Sequence, residues 1–592
     1  MKKLKLIVGT FILSTCFLQS ISAQKLAEEK TVELTGKSKN KGYLGNVVID
    51  DVKQQFDMVF VTKSTNKKVK YEVYQFDYNF NLLNNFEEEQ EVGKKSRSRK
   101  SKYRGKDYEV VQGVTASPNM TGKLVLRKIE TVYQWNWWKG DYEVKTHLLD
   151  KEKPKEIAGD GNDKKRKLFY TAHRDLSLKG ELLVCALINK GVMNMYKEGS
   201  REYQIMHIDK DLNIIKKTPL SFDHPQALLY SAELADRDEW IMVFANYGGK
   251  GYNKIASEKT TELTLVRVDG EGNVTEKYNF DSKCNEWAIF DAYSIGNDIY
   301  LYGAGNINKP EKNYTKPPFC ITADAMPGVG TPEQRIATLE NSKYTYLQIA
   351  KLSGGKADFV SAISIEDINL KGIKPPSQKK LREFDGKKFI LNGVNITSNG
   401  DIFISGQDFK YDNVGEVKGR VYKDLLMFQF DKNGDFKRYY GVENTAKSAG
   451  LLGGAGGAKS FPSEFAIYES PKNPNELFWN VFLCKDIDVD CSTETTATTE
   501  TTTCTYTPLY QGRMGKIDAE SGSISDFNTF GGDDFYLYID LEDDGKGKDL
   551  PYFSINGGKQ IVYVARKRKG GIKGNERWGN EIWFGKFDPL NQ

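Results

Sequence analysis

The feature that most constrains the fold is a hairpin pattern that recurs along the chain. Each copy is an alternating strand that ends in Asp or Ser, followed by a polar turn and usually by an apolar residue that begins the returning strand. An Asp that opens a turn can accept a hydrogen bond from the backbone two residues on, and Gly or Asn supplies the positive φ of tight hairpins. The pattern predicts eight antiparallel hairpins, 59 to 87 residues apart, at Asp77, Asp150, Asp209, Asp269, Ser353, Asp431, Asp518 and Asp588.

A second, strongly apolar strand precedes each hairpin. Near-continuous apolar runs such as ELLVCALI and EWIMVFANYG are typical of strands buried on both faces. Further upstream, the segments ALLYSAEL, WAIFDAY, KFILNGV and EFAIYES predict an additional inner strand. The repeating element is therefore predicted to be a four-stranded antiparallel unit.

One copy carries the fullest version of this pattern. It resembles the repeats of bacterial secreted β-propeller proteins, in which a Gly-flanked apolar strand precedes an Asp-rich hairpin. The resemblance rests on Gly400, Ile402, Phe403, Ile404, Gly406, Asp424, Asp431, Gly434 and Phe436. It implies an all-β fold, a single β-propeller of four-stranded antiparallel blades, and it specifies no function because propellers serve binding, scaffolding and catalysis alike.

The markers predict eight blades across residues 24–592, with seven as the alternative if the weak unit around YQWNWWKGDY is irregular. The last hairpin stops at the chain end, without room for an outer strand. The alternating segment Lys30 to Gly36 is therefore predicted to complete that blade and close the ring, which removes an exposed sheet edge. Long insertion loops are predicted near residues 88–107, 306–343, 441–460 and 485–506.

The first 23 residues have the anatomy of a secretory signal. A basic start precedes an apolar run from Leu6 to Leu18, and small residues end at Ala23. Lipid anchoring at Cys16 is a minor alternative, because Thr15 is unusual before a lipidated Cys. The sequence predicts an exported protein, periplasmic or extracellular, without a transmembrane segment.

The charge balance points to no general class of partner. The chain has 85 basic and 80 acidic residues and a net charge of +5, so no overall field favours nucleic acid or membrane. We expect a protein or glycan partner in the cell envelope, no nucleic acid, and peripheral association with the outer membrane as a further option.

A basic run and an aromatic run are candidate binding segments. The basic run includes Lys94, Lys95, Arg97, Arg99 and Lys100, and after export it would face anionic lipid, wall polymer or an acidic protein. The aromatic run is Tyr133, Trp135, Trp137 and Trp138, whose rings could stack on sugars. The alternative for the basic run is a solvated insertion loop, and the alternative for the aromatic run is packing between neighbouring blades.

Cysteines and acidic loops supply two further candidates. Cys491 and Cys504 bracket a Thr-rich insert and are the best disulfide pair, whereas Cys185 is expected to be a buried thiol. An acidic loop offers hard oxygen ligands for calcium, although solvated charge is the alternative and the spacing is not that of an EF-hand. Its candidate ligands are Asp540, Glu542, Asp543 and Asp544.

Motifs of catalysis are incomplete. The HRD triplet at His173 lacks the Asn of a kinase catalytic loop, because that position is Gly180. The segment from His173 to Gly180 is therefore predicted to be the turn into the strand ELLVCALI. No GxSxG elbow and no zinc spacing occur. The sequence favours a non-enzymatic binding or scaffold protein of the envelope, and the alternative is a glycan hydrolase or lyase that uses carboxylates at the propeller channel.

Overall fold

The protein is described by a computed structural model. It describes residues 26–38, 43–64, 68–91, 102–103, 106–107, 110–118, 123–136, 141–148, 155–156, 166–176, 180–190, 199–234, 237–246, 261–284, 286–307, 344–384, 389–414, 417–444, 464–495, 500–531, 535–537, 552–569 and 577–591. These residues are almost entirely antiparallel β-sheet. No helix in these ranges has the length and apolar character needed to cross a membrane.

Most strands of the first half form consecutive four-stranded units. Unit 1 contains β2 (Tyr43–Asp50), β3 (Gln55–Ser64), β4 (Lys68–Asp77) and β5 (Leu82–Glu91). Two short strands follow, β6 (Lys102–Tyr103) and β7 (Lys106–Asp107). Unit 2 contains β8 (Val110–Pro118), β9 (Leu124–Asn136), β10 (Asp141–Leu148) and β11 (Lys155–Glu156). Unit 2 is irregular, because β10 and β11 share one edge of β9 while β8 occupies the other.

Units 3 and 4 share a strand. Unit 3 contains β12 (Arg166–Leu176), β13 (Glu181–Lys190), β14 (Ser200–Ile208) and the first part of β15 (Ile214–Leu234). Unit 4 contains the second part of β15, β16 (Glu239–Asn246), β17 (Glu262–Asp269) and β18 (Val274–Asp281). The outer strand of unit 3 thus runs directly into the inner strand of unit 4, where Gln226 pairs with both Ser200 and Asn246.

Units 5 and 6 repeat the arrangement with an inserted connection between them. Unit 5 contains β19 (Glu286–Ile295), β20 (Asp298–Asn306), β21 (Tyr346–Ser353) and β22 (Lys356–Ser364). The connection holds a short helix α1 (Ile365–Asn369) and β23 (Gly372–Ile373). Unit 6 contains β24 (Phe389–Ile396), β25 (Ile402–Val414), β26 (Val417–Phe430) and β27 (Phe436–Val442). Strand β23 lies parallel to β27 and covers the edge of unit 6.

The last two units are joined by a bridging strand. Unit 7 contains β28 (Glu464–Glu469), β29 (Glu476–Thr495), β30 (Glu500–Asp518) and β31 (Asn528–Phe530). Unit 8 contains β33 (Tyr552–Ile555), β34 (Gln560–Lys569), β35 (Arg577–Phe587) and β1 (Glu28–Glu33), and a short 3-10 helix follows at Pro589–Asn591. Strand β32 (Phe535–Leu537) pairs with both β30 and β34.

The predicted Asp turns are confirmed at five positions, and the hairpin predicted at Asp588 is wrong. In unit 4 the Asp269 carboxylate accepts hydrogen bonds from the backbone of Glu271 and Asn273, both at about 2.9 Å or less. Although burial works to raise it, these bonds keep the pKa of Asp269 below its ordinary value. The same contacts recur at Asp77, Asp209 and Asp431, and a close variant occurs at Asp518. Asp150 lies outside the described residues, and Asp588 opens the 3-10 helix rather than a hairpin.

Strands buried on both faces hold adjacent units together. In β16, Trp240 and Met242 point into the apolar cluster shared with unit 3, whereas Ile241 and Val243 point into the cluster shared with unit 5. Such alternation explains why the sequence of this strand is continuously apolar. Equivalent clusters join units 2 and 3, 5 and 6, 6 and 7, 7 and 8, and 8 and 1.

Outer strands also contact the hairpin turn of the next unit. Lys216 on the outer strand of unit 3 donates to Asn273 in the turn of unit 4. In the same way Lys30 of β1 donates to Asn81 of unit 1 at 2.6 Å. Arg438 of unit 6 donates to the Glu520 carbonyl of unit 7 at 3.3 Å. The repeated contact places the hairpin turns of successive units side by side.

The N-terminal strand completes the last unit, as the sequence predicted. Strand β1 pairs antiparallel with β35 over six residues, from Glu28 opposite Lys586 to Glu33 opposite Glu581. It begins two residues before the predicted segment, and the following Leu34 is almost fully buried in the cluster between units 8 and 1. Both ends of the chain are therefore held in one sheet.

A buried polar latch fixes the connection that leaves β1. The Glu72 carboxylate accepts hydrogen bonds from the backbone N–H groups of Lys37, at 3.1 Å, and Ser38, at 2.6 Å. The Arg566 guanidinium of unit 8 donates to the Ser38 carbonyl at 2.7 Å. A Cβ at Gly36, whose φ is +67°, would lie 1.9 Å from the Glu72 carboxylate, so only glycine fits beside this latch.

A neutral copy of the latch occurs between units 4 and 5. The Gln348 side-chain oxygen accepts from the backbone N–H groups of Lys283, at 2.9 Å, and Cys284, at 2.8 Å. Gln348 precedes its hairpin marker Ser353 by five residues, as Glu72 precedes Asp77. The position five residues before the hairpin marker therefore binds the backbone of the incoming connection in units 1 and 5. It is a carboxylate, Glu72, in unit 1 and an amide, Gln348, in unit 5.

Removal of the N-terminal strand is expected to destabilise the whole fold. A chain that begins at Lys37 should melt at a markedly lower temperature than one that begins at Leu26, because it lacks the β1–β35 pairing and exposes the edge of β35. The shortened chain should also associate, which size-exclusion chromatography would detect. Equal melting temperatures and equal elution of the two chains would contradict the role of β1.

The latch predicts different outcomes for two substitutions of one residue. Glu72→Gln should retain most of the stability, because Gln348 shows that an amide oxygen can accept the same two backbone donors. Glu72→Ala should lower the free energy of unfolding by about 2 to 3 kcal/mol, since buried donors lose their partner. Urea denaturation of both variants measures the difference, and equal losses would show that hydrogen bonding is not the contribution of Glu72.

Candidate functional site

The longest connections between strands lie at one end of the units. The turns from first to second strand and from third to fourth strand hold two to nine residues in units 1 and 3 to 7. We call this the turn end. The opposite end carries the connections from second to third strand and between units, which include residues 92–109, 307–345, 365–388 and 443–463. We call it the insertion end, and it is the candidate functional site because long loops on a rigid scaffold commonly carry binding residues.

A buried polar cluster lies at the insertion end between units 3 and 4. The Asn246 side-chain oxygen accepts a hydrogen bond from the Gln226 amide, at 2.6 Å, and contacts Nε2 of His224. Oε1 of Glu262 lies 3.7 Å from the same imidazole nitrogen. Gln226 is 1% exposed, and its Oε1 has no hydrogen-bond partner within the described residues.

These contacts define the chemistry that the cluster offers. A proton on Nε2 of His224 suits the contact with the Asn246 oxygen, whereas the Gln226 amide nitrogen, 2.9 Å from the same atom, would donate to an unprotonated Nε2, so the two contacts fix no single tautomer. The open acceptor on Gln226 and the carboxylate of Glu262 suit a ligand hydroxyl or ammonium group, since both supply hydrogen-bond donors. The cluster is a candidate for binding small polar groups at the insertion end.

A second polar cluster lies at the insertion end of unit 6. Arg382, from the connection before unit 6, donates to Glu443, and its Nε lies 3.6 Å from the Asp424 carboxylate. The backbone N–H of Asn444 donates to Asp424 at 3.2 Å, and the Gln378 oxygen accepts from the Glu443 backbone at 2.8 Å. The arginine thus bridges two carboxylates of different environment.

Asp424 is the more unusual of the two carboxylates. Burial raises its pKa above the ordinary value, and the nearby Glu443 adds to that effect, whereas the Asn444 N–H and Arg382 oppose it. A carboxyl group with a raised pKa beside a second carboxylate is the arrangement from which general acids are built. Asp424 lies on β26, the third strand of its unit.

The HRD triplet has a structural explanation, and the predicted turn is only partly correct. His173 lies within β12, which ends at Leu176, and the described chain resumes at Gly180, directly before β13. Arg174 is 5% exposed and donates to Asp238, at 2.5 Å, and to Glu233, at 3.0 Å, of the next unit. The triplet therefore supplies a buried arginine that joins units 3 and 4.

The predicted aromatic site is only partly described. Tyr133 and Trp135 lie on β9, and their pairing partners on β10 are Val144 and Tyr142. Trp137 and Trp138 lie outside the described residues. The role of this segment stays a prediction.

The charged candidates also lie outside the described part of the chain. This holds for the basic residues Lys94, Lys95, Arg97, Arg99 and Lys100 and for the acidic residues Asp540, Glu542, Asp543 and Asp544. Within the described residues no three His, Cys, Asp or Glu side chains are grouped to hold a metal ion. The backbone register places Cys491 directly opposite Cys504, and Cys185 is a buried free thiol, as predicted.

Comparison with known proteins identifies no family. No protein-family model matches the chain, and no curated protein matches it. Solved structures similar to it include a GH43 β-1,3-galactosidase, with 9% identity over 95% of this chain and 96% of that chain and a TM-score of 0.22. A lignostilbene dioxygenase from Pseudomonas brassicacearum shows 11% identity over 85% and 92%, with a TM-score of 0.25. A DUF4221 protein from Bacteroides vulgatus shows 11% over 72% and 93%, with a TM-score of 0.21. Similarity at these TM-scores carries no functional information.

The raised pKa of Asp424 predicts a pH dependence of stability. Because the folded protein holds the Asp424 proton more tightly than the unfolded chain does, the contribution of Asp424 to stability is largest below its ordinary pKa and is lost as pH rises through the raised one. Asp424→Asn removes this dependence, so the variant should gain stability relative to the native protein across that range. Urea denaturation at several pH values measures the gain, with the exposed Asp435→Asn as control. A constant difference, or one of opposite sign, would contradict the environment of Asp424.

Proposed function

We propose that the protein is an exported, closed eight-bladed β-propeller that binds a macromolecular partner of the cell envelope through its insertion end. The proposal treats each four-stranded unit as a blade, with β1 as the outer strand of the last one. Within the described residues, apolar clusters join every consecutive pair from unit 2 to unit 8 and join unit 8 to unit 1. A closed ring requires one further contact, between units 1 and 2.

The observation that carries the binding role is the unequal length of the connections. Turn-end connections are short and largely held by Asp-centred hydrogen bonds, as in Asp209 and Asp431. Insertion-end connections reach the 39 residues from 307 to 345. A partner surface assembled from several blades would use this end, because loops there vary without disturbing the sheets.

Export is supported by the N-terminal sequence. The basic start, the apolar run and the small residues before Gln24 form the expected order of a secretory signal. That segment lies before the first described residue, Leu26, so cleavage near Ala23 would leave β1 free to pair with β35. A periplasmic or extracellular location follows in this proposal.

Affinity capture from envelope fractions tests the proposal. The native protein should retain a partner, whereas a variant in which residues 308–343 are replaced by a short Gly-Asn turn should retain less while melting at a similar temperature. The control changes the turn end by Val52→Ser and Lys53→Ser, two residues that are 96% and 70% exposed. Loss of capture by the control alone would contradict the proposal, as would failure of the native protein to bind any envelope protein or glycan.

A glycan-cleaving enzyme is the second candidate function. It is favoured by one observation, the raised pKa of Asp424 beside Glu443 and Arg382. In that case Asp424 would act as the general acid and Glu443 as the second carboxylate. Turnover of an envelope polysaccharide that is lost in Asp424→Asn but kept in Asp435→Asn would replace the binding proposal with this one.

A further inference from the structure

The longest strand pair of the protein extends well beyond its own sheet. After an irregularity at Cys484, β29 and β30 remain paired from Asp486 opposite Leu509 to Thr495 opposite Glu500. At roughly 3.3 Å per residue, this two-stranded arm projects on the order of 30 Å from unit 7. We call residues 486–509 the arm. Among the described strands, none other pairs with either side of it.

The arm needs a stabilising contact that its own pairing does not supply. An isolated two-stranded hairpin is at best marginally stable in water, because it has no core to bury. The strands that flank β29 and β30 in unit 7 are short, with six residues in β28 and three in β31. Their pairing reaches only Phe482 of β29 and Gly512 of β30, so neither strand pairs with residues of the arm.

The register of the arm brings two cysteines to the same position. Cys491 and Cys504 are direct partners in the antiparallel ladder. Directly opposite residues in such a ladder have Cα atoms about 4.5 to 5.5 Å apart, within the range of about 4.4 to 6.8 Å that a disulfide spans. The three other described cysteines, Cys185, Cys284 and Cys484, are buried inside the sheets.

We propose that Cys491 and Cys504 form a disulfide that locks the arm as a rigid projection of the insertion end. The inference rests on the proposed export of the protein, because disulfides persist in oxidising compartments. The two thiols lose two protons and two electrons. The electrons pass by thiol–disulfide exchange to the disulfide of an oxidoreductase, which leaves as a dithiol.

The arm can be isolated in a single peptide. Trypsin cleaves after Lys485 and Arg513, and no Lys or Arg lies between them, so the peptide 486–513 contains Cys491 and Cys504 and no other cysteine. For the test, the full chain is produced with its own N-terminal segment and collected from the exported fraction. It is then unfolded without reductant, alkylated with iodoacetamide and digested with trypsin. The peptide should then be lighter by two hydrogen atoms than the dithiol form and unalkylated, and it should take up two alkyl groups after reduction.

Either of two results in the mapping would overturn the inference. These are complete alkylation of both cysteines before reduction, or linkage of either one to Cys185, Cys284, Cys320 or Cys484. Partner capture in the same preparation separates this failure from that of the proposed function. Capture without the disulfide would reject the locked arm alone, whereas a disulfide without capture would reject the binding role alone.

Hydrogen exchange tests the rigidity of the arm. Cys491→Ser with Cys504→Ser should speed amide exchange in the arm by at least tenfold and leave β34 unchanged. The matched control is Ser492→Ala with Thr503→Ala, which alters the neighbouring pair in the ladder and keeps both cysteines. Equal exchange in the two double variants would contradict a locking role.

Discussion

The pairing of β1 with β35 is the constraint on which the rest of the architecture depends. Every other unit takes its strands from one stretch of chain, but unit 8 takes three from the C-terminal part and one from the N-terminal part. The six paired residues of β1 hold the two chain ends in one sheet. Leu34 and the Glu72 latch then carry that attachment into unit 1, so the first and last units are stabilised together.

Two local features recur along the chain, the Asp turn and the latch formed by Glu72 or Gln348. Asp turns join the third and fourth strands of units 1, 3, 4, 6 and 7. The left-handed residue of the turn is Gly272 or Gly434 in some units and Phe80 in another. Phe80 tolerates that conformation because its ring is fully buried and stacks on Phe584 at 5.0 Å. The Asp turns lie at the turn end, and the Glu72 and Gln348 latches hold the connections that enter units 1 and 5. The other insertion-end loops can therefore differ in length and sequence without disturbing the sheets.

Much of this fold follows from sequence, because its signals are local. The Asp turns, the apolar middle strands and the inner strands could be predicted from side-chain alternation and turn chemistry. The polar clusters could not, since His224 and Glu262, or Arg382 and Asp424, are far apart in the chain and meet only after units pack. In the sequence Asp424 stands out only as part of the pattern that resembles propeller repeats, and its raised pKa depends on burial that no spacing reveals. The continuous strand β15 also escaped prediction, because its two halves belong to different units.

Hydrogen exchange at β1 tests the central claim, that the N-terminal strand is an integral part of the last unit. The account predicts that amides of residues 28–33 exchange as slowly as those of β35, because the two strands share one hydrogen-bonded ladder. The two segments should also lose protection at the same denaturant concentration. Rapid exchange in β1 while β35 stays protected would contradict the account, because it would mean that the last unit is stable without the N-terminal strand.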